Sequence, residues 1–174
     1  VSAAGAAYQG VFQNPMAAPD ILGASSGAAF GAALAILLGA SSRLIMAAAF
    51  LFSLLTVGLV YMLSLRTKGN KVIGLILSGI MISSLFSAGT SFIKLVADPS
   101  NQLPAITYWL MGSLSGTTKK ELVLAAVPMA IGLIGLYLLR WRINILTLGD
   151  DEARTIGVNT NLVRLSVIVC STLI

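Results

Sequence analysis

Histidine is absent from this chain, and cysteine occurs once, at Cys170. The first absence removes the commonest general base and metal ligand, and the second removes internal disulfides and cysteine metal clusters. Charge is nearly as scarce. Lys and Arg number 11 and Asp and Glu 6, or 10% of 174 residues, where soluble domains carry about 25%. So few charges cannot coat a water-facing surface. There is no Gly-Lys pair anywhere, which excludes a phosphate-cradling P-loop, and no nucleophile has a histidine to activate it. No catalytic residue, metal site or cofactor motif is expected.

What is abundant is apolar: 57% of the residues, with 17 glycines. The net charge of +5 would suggest nucleic acid in a soluble protein. Here the basic residues flank long apolar runs, as they do beside a lipid bilayer, so no nucleic-acid partner is expected. Four runs reach bilayer length: Ile21 to Gly39, Leu44 to Leu65, Val72 to Ile93 and Leu122 to Leu139. At 1.5 Å per residue they extend roughly 27 to 33 Å, against a hydrocarbon core of about 30 Å. None contains Asp, Glu, Lys or Arg, so no charged proton relay lies within them. Val1 to Phe12 and Leu162 to Ile174 are shorter apolar pieces, expected to be partial spans. The opening at Val1, without an initiator Met or a basic leader, reads as an internal start. The expected fold is an all-α polytopic transmembrane helix bundle, with residues 1–174 forming one transmembrane domain.

Short loops rich in Lys and Arg stay cytoplasmic. Arg66, Lys68, Lys71, Arg140, Arg142, Arg154 and Arg164 fall on one side if the four runs alternate, against Arg43, Lys94, Lys119 and Lys120 on the other. This asymmetry assigns residues 66–71 and 140–164 to the cytoplasm. Tyr108, Trp109 and Trp141 sit just outside spans, where amphipathic rings prefer the headgroup level.

Within the runs, Gly23, Gly27 and Gly31 recur every four residues, a flat strip suited to tight helix packing. Gly79, Ser83, Ser87 and Ser91 repeat the same spacing with hydroxyls. By spacing alone that stripe could either bind helices together or line a wet passage. Pro128 removes a backbone donor inside the fourth run and is expected to kink it. Beyond that run, Asp150, Asp151 and Glu152 precede Arg154 and Gly157. Acidic residues at the start, a basic residue near the end and a glycine after it predict a two-turn surface helix, with Asp150 as N-cap and Gly157 as left-handed C-cap.

Three stretches resemble the FecCD family, permease subunits of binding-protein-dependent ABC importers for iron-siderophores, haem and cobalamin. They are GAAYQGVFQNPMAAPDILGASSGAAFGAAL (Gly5 to Leu34), YWLMGSLSG (Tyr108 to Gly116) and LTLGDDEARTIGV (Leu146 to Val158). Met16 and Ile156 stand where the family usually has Leu. The likeness covers nearly the whole chain, which would correspond to the second through the start of the seventh of about ten membrane helices.

The resemblance implies a non-catalytic channel half in a bacterial or archaeal cytoplasmic (inner) membrane. A second permease subunit would pair with it, as homodimer or close paralogue. A cytoplasmic ABC ATPase dimer would dock beneath, and an extracytoplasmic substrate-binding protein would deliver ligand. It implies that residues 140–164 form a coupling loop whose helix, Gly149, Asp150, Asp151, Glu152, Ala153, Arg154 and Gly157, contacts the ATPase. It tips the stripe of Gly79, Ser83, Ser87 and Ser91 toward pathway lining, and it places Asn14, Pro15 and Met16 near the inner gate, together with the loop around Gly69 to Ile73. A second reading is a secondary transporter or channel with discontinuous helices, because serine and carbonyl oxygens suit sodium. A third is a membrane scaffold without transport.

Overall fold

The computed structural model describes residues 1–15, 17–18, 20–67, 71–112 and 119–174. Among the described residues there are eight helices: α1 Ser2–Phe12, α2 Ala24–Leu37, α3 Ser42–Leu65, α4 Lys71–Val96, α5 Gln102–Met111, α6 Lys119–Leu146, α7 Asp150–Thr155 and α8 Thr160–Thr172. No strand occurs among them. The all-α expectation holds. The helices fall into two compact units, one of residues 1–19 and 118–174, the other of residues 20–117.

Among the described residues three stretches are long and apolar enough to cross a bilayer: Ser42–Leu65, Val72–Val96 and Leu122–Leu146. Their large apolar side chains point outward, including Leu51, Leu55 and Met62 of α3 and Leu124, Ile131 and Leu138 of α6. Surfaces of that extent are suited to lipid rather than water. The first of the four expected spans is corrected. Ile21 to Gly39 is helical only over Ala24–Leu37, 14 residues, roughly 21 Å at 1.5 Å per residue. Two glycines set those limits. Gly23 is the N-cap at φ 73°, and Gly39 has φ 70°, left-handed conformations that glycine adopts without steric cost. The chain before α2 is a turn instead, fastened by Asp20. Its carbonyl accepts from the Gly23 N–H at 2.8 Å, and its carboxylate accepts from the Ser25 N–H at 2.9 Å.

In the unit of residues 20–117, α2 packs on α3, α4 and α5. Phe30, Phe52 and Phe86, one from each of α2, α3 and α4, meet at centroid distances of 5.3 to 6.5 Å, within the range of favourable aromatic pairing. At the far end of α2, Ala33, Ile93, Ala97 and Ile106 form a buried cluster. The Gln102 amide donates to the Leu37 carbonyl at 3.0 Å, which satisfies an orphan carbonyl at the α2 C-terminus.

In the other unit, α8 packs on α1, α6 and α7, and α6 also packs on α1 and α7. Thr160, Val163, Arg164, Val167, Ile168 and Ser171 make the buried side of α8, a 3-then-1 spacing that puts all six on one helical face. Pro128 lies inside α6, which continues past it. Gly132 and Gly135 let α8 come close: a Cβ at Gly132 would stand 2.5 Å from the Cys170 carbonyl oxygen, and one at Gly135 would stand 2.5 Å from Cys170 Sγ.

Candidate functional site

The loop after α6 folds as a short capped helix, and its caps explain its composition. The N-cap is Gly149, at φ 133° and ψ 158°, not Asp150 as expected. That backbone region is essentially restricted to glycine. The Glu152 carboxylate folds back over the same residue, so a Cβ at Gly149 would run into Glu152. The acidic side chain thereby sits at the positive end of the helix. The other end matches the expectation at Gly157, with φ 83°. The Gly157 N–H donates to the Arg154 carbonyl at 2.9 Å, and the Val158 N–H to the Ala153 carbonyl at 2.9 Å. These two bonds are a Schellman termination, which needs a left-handed residue at the position Gly157 fills.

A six-residue helix has almost no stability alone. Ala153, fully buried, is the side chain that seats α7, and α7 packs on α6 and α8. Glu152, Arg154, Thr155, Ile156 and Gly157 face outward. Leu148 and Ile156 are exposed large apolar residues on either side of the helix. Among its described side chains the helix therefore presents one anionic and one cationic group between two apolar ones, supported from behind by a residue too small to protrude. Beside it, Arg154, Gly157, Val158, Asn159, Thr160 and Asn161 line an open depression of about 340 Å³. The side chains of Asp150 and Asp151 lie outside the described residues. Among the described residues no group of His, Cys, Asp or Glu could hold a metal ion.

The gate candidates follow α1 directly. Asn14 is half-buried and Pro15 exposed, while Met16 lies outside the described residues, as do Lys68, Gly69 and Asn70 of the other expected gate loop. The Asn14 carbonyl accepts from the Ala17 N–H at 3.0 Å.

The glycine strip is a set of close approaches. A Cβ at Gly27 would stand 2.8 Å from the Phe52 carbonyl oxygen, and one at Gly31 2.7 Å from the Ala48 carbonyl oxygen, both on α3. Gly23 meets Ser83 instead, so the strip serves two partners rather than one. The serine stripe divides in the same way. Gly79 is packed against the backbone of Ile21 and Leu22, and Ser83 lies against Gly23. Ser87 and Ser91 are exposed on α4, and the Ser91 hydroxyl donates to the Ser87 carbonyl at 3.0 Å. In the YWLMGSLSG stretch, Tyr108 to Met111 close α5 and Gly112 follows at φ 71°; residues 113–116 lie outside the described residues.

Two polar residues were not singled out by the sequence. Gln13 holds φ 51° and reaches from the end of α1 to the last turn of α6. Arg164, counted above among loop charges, is 3% exposed. Its position on the Val163, Val167 and Ile168 face was the signal available in the spacing.

Apolar helices of bilayer length, closely packed at glycines and joined to a short polar loop helix, define a multi-pass membrane protein. The FecCD transport family matches residues 1–174, and the chain belongs to that family. It is 38% identical over 170 residues to the "Probable iron chelatin transport system permease protein" of Helicobacter pylori, covering 98% of this chain and 51% of that one. To the molybdate import system permease protein MolB of Haemophilus influenzae it is 37% identical, covering 96% and 50%. To the hemin transport system permease protein HmuU of Yersinia pestis it is 34% identical, covering 100% and 50%. A solved structure described as "An inward-facing conformation of a putative metal-chelate type ABC transporter" is similar with a TM-score of 0.90 and 35% identity, over 98% of this chain and 55% of that one. The chain spans about half the length of the curated relatives it matches.

Proposed function

We propose that this chain is part of the membrane-spanning permease of an ABC importer that moves an iron-siderophore, haem or cobalamin-type metal chelate across the cytoplasmic membrane. The observation that carries the reading is the FecCD match over the whole chain, together with relatives named for iron chelate, hemin and cobalamin transport. In this reading the chain itself hydrolyses nothing. A second permease subunit completes the channel, a cytoplasmic ATPase dimer supplies energy and an extracytoplasmic binding protein supplies ligand. The cytoplasmic coupling loop lies within residues 140–164, in the stretch 147–159 that α6 and α8 leave between them. Gly149 to Gly157 meet the ATPase through Glu152, Arg154 and the flanking Leu148 and Ile156. Asn14, Pro15 and Met16 belong to the inner gate, and the exposed Ser87 and Ser91 line the pathway while Gly79 and Ser83 pack it. The basic asymmetry between loops supports this sidedness.

The test is uptake into liposomes holding the full-length permease with a partner ATPase and binding protein. Ferric siderophore, haem, cobalamin and molybdate are offered in turn, the last because one relative is a molybdate permease. ATP-dependent accumulation of a metal chelate supports the reading. Accumulation driven by a sodium gradient without ATP contradicts it, and accumulation of molybdate alone moves the substrate class to an oxyanion.

A further inference from the structure

The last carbonyl of α6 is a junction. Leu146, whose side chain is fully buried, offers its backbone oxygen to two donors at once. One is the Gly149 N–H, at 3.3 Å, the amide of the residue that caps α7. The other is Gln13 Nε2, at 2.7 Å, from the end of α1. A carbonyl oxygen has two lone pairs and can accept both. The α1 end is pressed against the same place by a second contact, since a Cβ at Gly10 would stand 2.9 Å from Ile143 Cγ2. Gln13 makes its reach from the exposed C-cap of α1, at φ 51° and ψ 35°, a left-handed turn that ends many helices and here aims the side chain toward α6. Directly after it come Asn14 and Pro15.

We infer that Gln13 is a positioning residue that clamps the segment beginning at Asn14 to the turn carrying α7, so that a displacement of α7 reaches that segment through one shared oxygen. The inference rests on the importer reading for what the displacement accomplishes, while the clamp itself is a property of this unit alone. Hydrogen bonds run from α7 through Gly149 to Leu146, and from Leu146 to Gln13. Each step joins groups within 3.3 Å. Without the Gln13 donor, the Gly10 approach still holds α1 near α6 but leaves its last turn free to lag.

The substitution Gln13→Met keeps the length of the side chain and the steric demands on the backbone, and removes only the donor. Gln13→Lys restores a donor able to reach the oxygen. Gln13→Asn tolerates the left-handed backbone but is too short, and replaces Gln13→Met should that variant fail to insert. Hydrogen exchange is followed in the full-length permease in lipid nanodiscs, with no partner added. In Gln13→Met, exchange should rise together in residues 9–15 and 146–157, by about two- to twelvefold, the worth of one hydrogen bond, and should return in Gln13→Lys. With the ATPase present, ATP hydrolysed per ligand imported should rise in Gln13→Met and return in Gln13→Lys, with ATPase co-purification unchanged. A rise confined to residues 9–15, no rise at all, or no rescue by lysine overturns the clamp. Absence of ATP-driven uptake in the wild type defeats the importer reading instead, and the exchange pattern still decides the clamp.

Discussion

Replacing Gly149 with alanine tests whether α7 is held by the backbone geometry described above. At φ 133° and ψ 158° a side chain is costly by about 1–3 kcal/mol, and the new methyl group also displaces the Glu152 carboxylate that lies over this residue. The helix has little to oppose that cost. It has six residues, its Schellman end is local, and its buried anchor is Ala153 alone among its described side chains. A penalty of this size changes the ratio of folded to open α7 by roughly 5- to 150-fold. The assay is hydrogen exchange of the Ala153, Ile156 and Val158 amides, which donate to Gly149, Glu152 and Ala153 carbonyls, in the full-length protein in nanodiscs. Exchange should accelerate at least fivefold while the thermal midpoint barely moves, because α6 and α8 keep their own packing. Gly149→Ala with Glu152→Ala separates the two causes. It removes the clash and leaves the backbone penalty, so exchange should stay fast. Exchange within twofold of wild type in Gly149→Ala would refute the reasoning.

The other glycines divide by what surrounds them. Gly58 has nothing within 4 Å of a built Cβ, so Gly58→Ala in α3 should stabilise by about 0.5–1 kcal/mol, whereas Gly31→Ala drives a methyl group to 2.7 Å from a carbonyl oxygen and should destabilise by about 1–3 kcal/mol; thermal unfolding in detergent compares them, and equal shifts would discount the packing role of the strip. Ser87→Leu should impair chelate uptake more than Ile80→Leu, both positions being exposed on α4, and equally mild effects would leave the serine stripe without a special role. Cysteine placed at Arg66, in a background without Cys170, should resist an impermeant thiol reagent added outside the cell, and cysteine at Ser100 should react; labelling at 66 from outside reverses the sidedness.

The all-helical bundle was legible because apolar run length is a strong signal, and α3, α4 and α6 follow it. The shortened α2 was not, because Ile21 to Gly39 reads as one apolar run and hydropathy is blind to φ at Gly23 and Gly39. The loop helix was legible through its charges and Gly157. The N-cap falls at Gly149 because its carbonyl accepts the first bond of the helix, from the Ala153 N–H, and the φ of 133° there is nothing that composition displays. The glycine strip meets two different partners, and which helix lies opposite is not written in its spacing. Gln13 was hidden for a related reason. A glutamine at a helix end has no local pattern, and its partner at Leu146 is 133 residues away.

The most direct test of the account is coupling through α7. Glu152→Lys and Arg154→Glu reverse the two described charges that α7 presents, at exposed positions where a dipole-aligned charge is worth about 0.3–1 kcal/mol, too little to unfold a helical bundle. Each variant of the full-length permease is purified with its ATPase and reconstituted in liposomes, and ATP hydrolysis is measured with and without binding protein loaded with chelate. Normal insertion with loss of ATPase co-purification, or with hydrolysis no longer stimulated by ligand, is the predicted result. Wild-type co-purification and wild-type stimulation in both variants would contradict the claim that this loop couples the permease to an ATPase.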